Sequence, residues 1–125
     1  MAIAKLTLTA LDCPDNYALA KFYSEITGWP VSAESDDDWV WLESPHGVTL
    51  AFQKSPDHVA PVWPDGPNLQ QMHLDFDVPD LDVGEAAVLA LGAVKHAHQP
   101  GETFRVYVDP AGHPFCLVLR EGIAL

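Results

Sequence analysis

Apolar and polar positions alternate along this chain with two different periods, and the switches between them mark out its elements. Met72, Leu74, Phe76 and Val78 alternate with His73, Asp75 and Asp77, the period-two pattern of a strand with one buried face. Leu6 to Leu11 is a shorter apolar and β-branched run of the same kind. Leu19, Phe22, Tyr23 and Ile26 instead follow the three-four spacing of a helix buried along one stripe. Asp15 precedes that stripe as a helix cap, and Gly28 follows it as the residue best able to end a helix in the left-handed conformation. A second helix is predicted from about Leu81 to Leu91, with Gly92 at its end. Trp39 to Glu43 and Val48 to Gln53 flank Ser44-Pro45-His46-Gly47, while Phe104 to Val108 and Pro114 to Leu119 flank Asp109-Pro110-Ala111-Gly112. Turn chemistry makes both pairs hairpins. A further strand is expected before each hairpin, near Pro30 to Glu34 and near Ala93 to His98.

The elements repeat. Asp12-Cys13-Pro14-Asp15 returns as Asp77-Val78-Pro79-Asp80, an offset of 65, and the same offset carries Pro45 onto Pro110 and Gly47 onto Gly112. Gly28 falls one residue short, on Gly92, so the second copy is a residue shorter within that segment. Internal repetition of this kind decides the architecture before any single element does. Each copy spells βαβββ, and the fold class is α+β: module 1 over about 1–54, a linker over about 55–70 and module 2 over about 71–125. The linker carries Pro56, Pro61, Pro64 and Pro67, which exclude a helix or a central strand. Trp63 inside it either packs over a surface groove or belongs to a lid, packing being the simpler role.

Composition narrows the function. The length of 125 residues and an apolar content of 48% suit one globular domain with a real core. Six Lys and Arg against 18 Asp and Glu give a formal charge of -12, a field that repels a phosphate backbone and excludes nucleic acid as a partner. The run Asp36-Asp37-Asp38 reads as a solvated turn. The N-terminal residues lack the pattern of a secretory signal, and no apolar window reaches membrane-spanning length, so no membrane association and a cytoplasmic location are expected. Cys13 and Cys116 have no framework spacing and are expected to be reduced thiols.

An Asp before the first helix, Phe22-Tyr23 within it, Gly28-Trp29 after it and Asp109-Pro110-Ala111-Gly112 before the last strand resemble, in that order and over nearly the whole chain, the vicinal-oxygen-chelate superfamily. The segment Gly112-His113-Pro114-Phe115-Cys116-Leu117 is similar to its glyoxalase-like, bleomycin-resistance-related branch. The resemblance implies two tandem βαβββ modules curved into a mixed sheet around a cleft, and a homodimer. It also implies one metal ligand on the first and last strand of each module. His73 occupies the first-strand position of the second module, and subtracting 65 gives Leu8. The last-strand position, four residues after the turn glycine, is Cys116, and its counterpart is Ala51, or Gln53 if the first hairpin is aligned two residues later. A divalent ion that polarises a substrate needs three or four converging N, O or S donors. Only His73 and Cys116 are good ones in this set, and the carboxylates that would complete an iron site or act as general base are missing. No metal cofactor is therefore expected, the alternative being one divalent ion involving His73.

Other candidates carry their own readings. Asp75 and Asp77 share the face of His73 and would orient its imidazole, act as acid-base groups or line a polar wall. His96-Ala97-His98 reads as an exposed polar edge rather than a surface metal site, and His46 and His113 as turn residues. Trp39, Trp41, Phe104, Tyr107 and Trp63 offer flat rings for a planar ligand, or equally a core under the helices. The ligand-binding set expected here is Leu8, Trp39, Trp41, Gln53, Trp63, His73, Asp75, Phe104, Arg105, Tyr107 and Cys116, with no catalytic residue assigned. The expected function is capture of a small aromatic molecule without metal, as in drug-sequestering members of the resembled family. A metal-dependent lyase, isomerase or dioxygenase is the first alternative, and a non-catalytic accessory module the second.

Overall fold

The computed structural model describes residues 2–125. The chain forms two compact units, one up to His58 and the other from Val59, and both follow the same α+β plan.

In the first unit, β1 (Leu8–Cys13) leads into α1 (Asn16–Thr27), followed by β2 (Trp39–Trp41) and β3 (Thr49–Lys54). The strands lie in the order β1-β3-β2, with β1 parallel to β3 and β2 antiparallel to it. Asp15 caps α1 by accepting the Ala18 N–H at 3.0 Å, and Gly28 ends the helix at φ 74°. Both roles follow from orphaned backbone groups at the helix ends. Leu19, Phe22 and Tyr23 are buried, and the Tyr23 ring stacks on Phe52 with centroids 5.8 Å apart. Phe52 therefore marks the helix-facing side of the sheet, and Ala51 and Gln53 point to the other side.

The second unit comprises β4 (Leu74–Val78), α2 (Leu81–Ala90), β5 (Val94–Lys95), β6 (Phe104–Val108) and β7 (Pro114–Leu119). The order is β4-β7-β6-β5, with β4 parallel to β7 and the other pairs antiparallel. Asp80 caps α2 through the Val83 N–H at 2.9 Å. Phe115 is buried between the Tyr107 ring, stacked on it at 5.6 Å, and Phe76, edge-on at 6.1 Å. Asp109, itself buried, accepts the N–H groups of Ala111 and His113 and fixes the turn into β7.

Several expected strands differ in extent, β1 running Leu8–Cys13 and β2 only Trp39–Trp41. The segment near Pro30 to Glu34 forms only an isolated bridge, Val31 to Leu42, so the first unit is βαββ plus that bridge. Pro30 has no N–H to give, and Ser32 and Ser35 take up the N–H groups of Glu34 and Trp41 on their hydroxyls instead of leaving them to a ladder. Near Ala93 to His98 only Val94 and Lys95 are strand. The strand expected from Met72 begins at Leu74, leaving His73 just before the ladder. Asp36-Asp37-Asp38 is an exposed turn, in which Asp36 accepts the N–H groups of Asp38 and Trp39. Cys13 and Cys116 are buried and form no disulfide. No described helix is long and apolar enough to cross a membrane.

Candidate functional site

The offset of 65 holds residue by residue in the sheet registers. Ala10 pairs with Ala51 in the first unit, and Asp75 pairs with Cys116 in the second. Trp41 pairs with Ala51 just as Val106 pairs with Cys116, and Trp39 with Gln53 just as Phe104 with Val118. The counterpart of Cys116 is therefore Ala51, and Gln53 corresponds to Val118. The alignment that shifts the first hairpin by two residues is excluded.

Registers also decide the faces, because directly paired residues project to the same side of a sheet. In the second unit Tyr107 pairs with Phe115 and Arg105 with Leu117, all on the helix side. Phe104, Val106, Asp75 and Cys116 take the opposite side. Arg105 and Tyr107, expected among the ligand-binding residues, accordingly turn to α2. Arg105 donates to Asp82 at 2.8 Å and pairs with Glu85 at 3.3 Å, and the buried Tyr107 hydroxyl donates to Glu85 at 3.1 Å. Lys95 reaches the same Glu85 carboxylate at 2.8 Å. The hydrogen bond from Lys95 holds Glu85 below the ordinary carboxylate range against the opposing effect of burial. Burial first, and the bond to Glu85 second, push the Tyr107 phenol up to about 12. This network joins β5 and β6 to the helix.

On the other side of the second sheet lies a cavity of about 250 Å³. Trp63, Phe104 and Val106 give it an apolar wall, with Pro100 and Pro114 beside them, and Gln70, His73 and Cys116 supply its polar atoms. Trp63 comes from the proline-rich segment and meets the imidazoles of both His96 and His98 in edge-type contacts, at centroid distances of 5.1 and 5.0 Å. The His96 and His98 pair thus anchors a ring of the pocket wall. The Gln70 amide oxygen is buried with no hydrogen-bond partner, the one such side-chain atom among the described residues. A buried acceptor of this kind calls for a donor from elsewhere.

His73 and Asp75 stand two residues apart, and His73 Nε2 lies 3.3 Å from Asp75 Oδ1. Asp77 instead pairs with Arg120 at 2.6 Å. Burial raises the Cys116 thiol to about 11, with the negative charge and hydrogen bond of Asp75 adding to the effect. Cys116 is thus a protonated thiol near neutrality and no nucleophile on its own. Of the other expected residues, Leu8, Trp39, Trp41 and Gln53 lie in the first unit, on the side of its sheet away from Phe52, and are not among the residues lining this pocket. Reading the sequence missed Gln70, Pro100, Val106 and Pro114. Val106 was within reach, being 65 residues beyond Trp41; Gln70 and Pro100 carry no sequence signal.

The four repeat-related positions do not fit a metal as a set, since Leu8 and Ala51 have no donor atom. Within the second unit the outcome is different. His73, Asp75 and Cys116 each offer one ligand atom, and these atoms all lie within 4.8 Å of one another.

A family model described as a glyoxalase-like domain matches residues 9–118. No curated protein matches the chain. Among solved structures, a glyoxalase/bleomycin resistance protein/dioxygenase family enzyme from Burkholderia phytofirmans PsJN superposes with a TM-score of 0.70 at 17% identity, covering 91% of this chain and 97% of that one. Oxidase ChaP-H2 superposes with a TM-score of 0.65 at 24% identity, covering 97% and 98%. TnmS3, an antibiotic binding protein from Streptomyces sp. CB03234, gives a TM-score of 0.64 at 18% identity, covering 97% and 99%. At these identities the likeness is one of fold.

Proposed function

The chain belongs to the glyoxalase-like domain family, and on that premise we propose that it captures a small planar aromatic molecule in the pocket of its second unit. The observation that carries this reading is the division of the pocket wall: Trp63, Phe104 and Val106 on the apolar side, Gln70, His73 and Cys116 on the polar side. Ligand sites combine these two features, apolar surface for affinity and a few placed polar groups for orientation. The unpartnered Gln70 oxygen favours a ligand that carries an N–H or O–H donor. Size narrows the class further. A dry cavity of about 150 Å³ takes benzene, so a cavity of about 250 Å³ holds one ring or two fused rings of a ligand.

Capture of this kind protects by affinity rather than turnover, and we infer antibiotic sequestration as its use. The description of TnmS3 as antibiotic binding supports that inference, because the same fold serves capture there. Capture draws on no metal held across the four repeat-related positions.

A thermal-shift panel of planar aromatic natural products and metabolites, run on chelator-treated protein, tests the reading. A ligand that binds only the folded state raises the midpoint. At least one compound is expected to raise it by several degrees, with the shift lost in Phe104→Ala. A panel without any shift would overturn capture and leave the accessory-module alternative.

A further inference from the structure

We propose that the pocket of the second unit selects its ligand by charge, taking a planar aromatic cation that carries an N–H donor, such as a protonated amino-heteroaromatic base, and rejecting aromatic carboxylates. The inference rests on ligand capture as the use of this pocket and adds the charge class of what is captured.

Every Lys and Arg of the second unit is already committed to a carboxylate. Lys95 pairs with Glu85 at 2.8 Å, Arg105 with Asp82 at 2.8 Å and with Glu85 at 3.3 Å, and Arg120 with Asp77 at 2.6 Å. None of the three lines the pocket. Among the lining residues only His73 can take a positive charge, and its Nε2 already faces Asp75 at 3.3 Å. An anion entering the pocket would shed its water without finding a counter-charge, which is costly.

Negative charge is in the opposite position. Asp75 stands across the β4–β7 ladder from Cys116 and projects to the pocket side of the sheet. Its side chain is 57% exposed, and among the described residues it pairs with no Lys or Arg. The Gln70 oxygen supplies a directional contact, being a buried acceptor that lacks a donor. Trp63 and Phe104 add aromatic rings, whose faces attract cations. The chain's formal charge of -12 draws cations from a distance as well. A protonated nitrogen conjugated to a flat ring meets these demands together: the ring covers the apolar wall, an N–H reaches Gln70, and the delocalised charge is balanced by Asp75.

Three probes of one two-ring shape test the proposal by calorimetric titration of the full chain at neutral pH. They are 4-aminoquinoline, a cation with N–H donors; quinoline, which is neutral; and quinoline-4-carboxylate, an anion. The amine is expected to bind at least about tenfold more tightly than the carboxylate, with quinoline between them. Asp75→Asn should narrow that ratio by about twofold to fivefold, the range for a partly exposed charge pair. Glu25→Gln, the same change at an exposed position of α1, should leave the ratio as it is. Gln70→Leu should weaken the amine by about tenfold without weakening quinoline. Salt gives a reading that needs no variant. The screening length falls from about 30 Å at ~0.01 M to about 3 Å at ~1 M, and the ratio should fall with it. A carboxylate that binds as tightly as the amine, a ratio insensitive to salt or to Asp75→Asn, or one shifted equally by Glu25→Gln overturns charge selection and leaves capture standing. Absence of binding by 4-aminoquinoline overturns it too, while capture is still decided by the thermal-shift panel.

Discussion

Asp75 lies directly across the β4–β7 ladder from Cys116, at the register that sets Ala10 across the β1–β3 ladder from Ala51. The duplication has kept its backbone geometry while the two copies have come to hold different chemistry. One copy presents two methyl groups at this pair and the other a carboxylate beside a thiol. The consequences extend from the pocket to the stability of the second unit.

Trp63→Ala removes the ring that forms one pocket wall and leaves the sheet registers untouched. A bound planar ligand identified by thermal shift should lose affinity by about tenfold or more, corresponding to about 1.4 kcal/mol per factor of ten. Calorimetric titration measures it. Unchanged affinity would show that Trp63 packs on His96 and His98 without touching the ligand.

Tyr107 distinguishes a structural role from a binding role. Its ring is fully buried on the helix side, so Tyr107→Ala should cost about 3–5 kcal/mol in urea unfolding. Tyr107→Phe, which loses only the bond to Glu85, should cost about 0.5–1.5 kcal/mol and leave ligand affinity intact. A loss of affinity in Tyr107→Phe with normal stability would return this residue to the binding site.

The same phenol predicts an alkaline limit. Tyr107 ionises at about 12 in the folded protein and near 10 when unfolded. As pH rises between those values the unfolded chain releases this proton first, which draws the equilibrium toward unfolding. Stability from this group is complete below about pH 10 and is lost progressively toward about pH 12. Unfolding midpoints collected across that window should fall less steeply for Tyr107→Phe, and equal slopes would refute the linkage.

Gly112 joins the last turn to the segment that carries Trp63. It adopts φ 88°, and a Cβ placed there would sit 2.4 Å from the Ala60 Cβ. Gly112→Ala should therefore destabilise by about 1–3 kcal/mol through strain and the clash. Because Ala60 must give way, ligand affinity should fall as well. A variant with parental stability would show that the turn relaxes freely.

Local chemistry made most of the fold legible in the sequence. Asp15 and Asp80 cap their helices, Gly28 ends the first, and both Pro-Gly hairpins form, because these features depend on a few neighbouring residues. The offset of 65 was visible for the same reason, since each turn needs its own Pro and Gly. Where local rules gave an ambiguous answer, tertiary pairing decided. Strand alternation alone left Arg105 and Tyr107 equal to Phe104 as pocket candidates, since alternation specifies two faces without saying which one a helix covers. Packing of Tyr107 against Phe115 and its bond to Glu85 on α2 settled that choice. The pairing of Asp75 with Cys116 was beyond the reach of sequence for a related reason. Parallel strands separated by a helix and a hairpin acquire their register from the packing of the unit that holds them, and no motif near either residue records it.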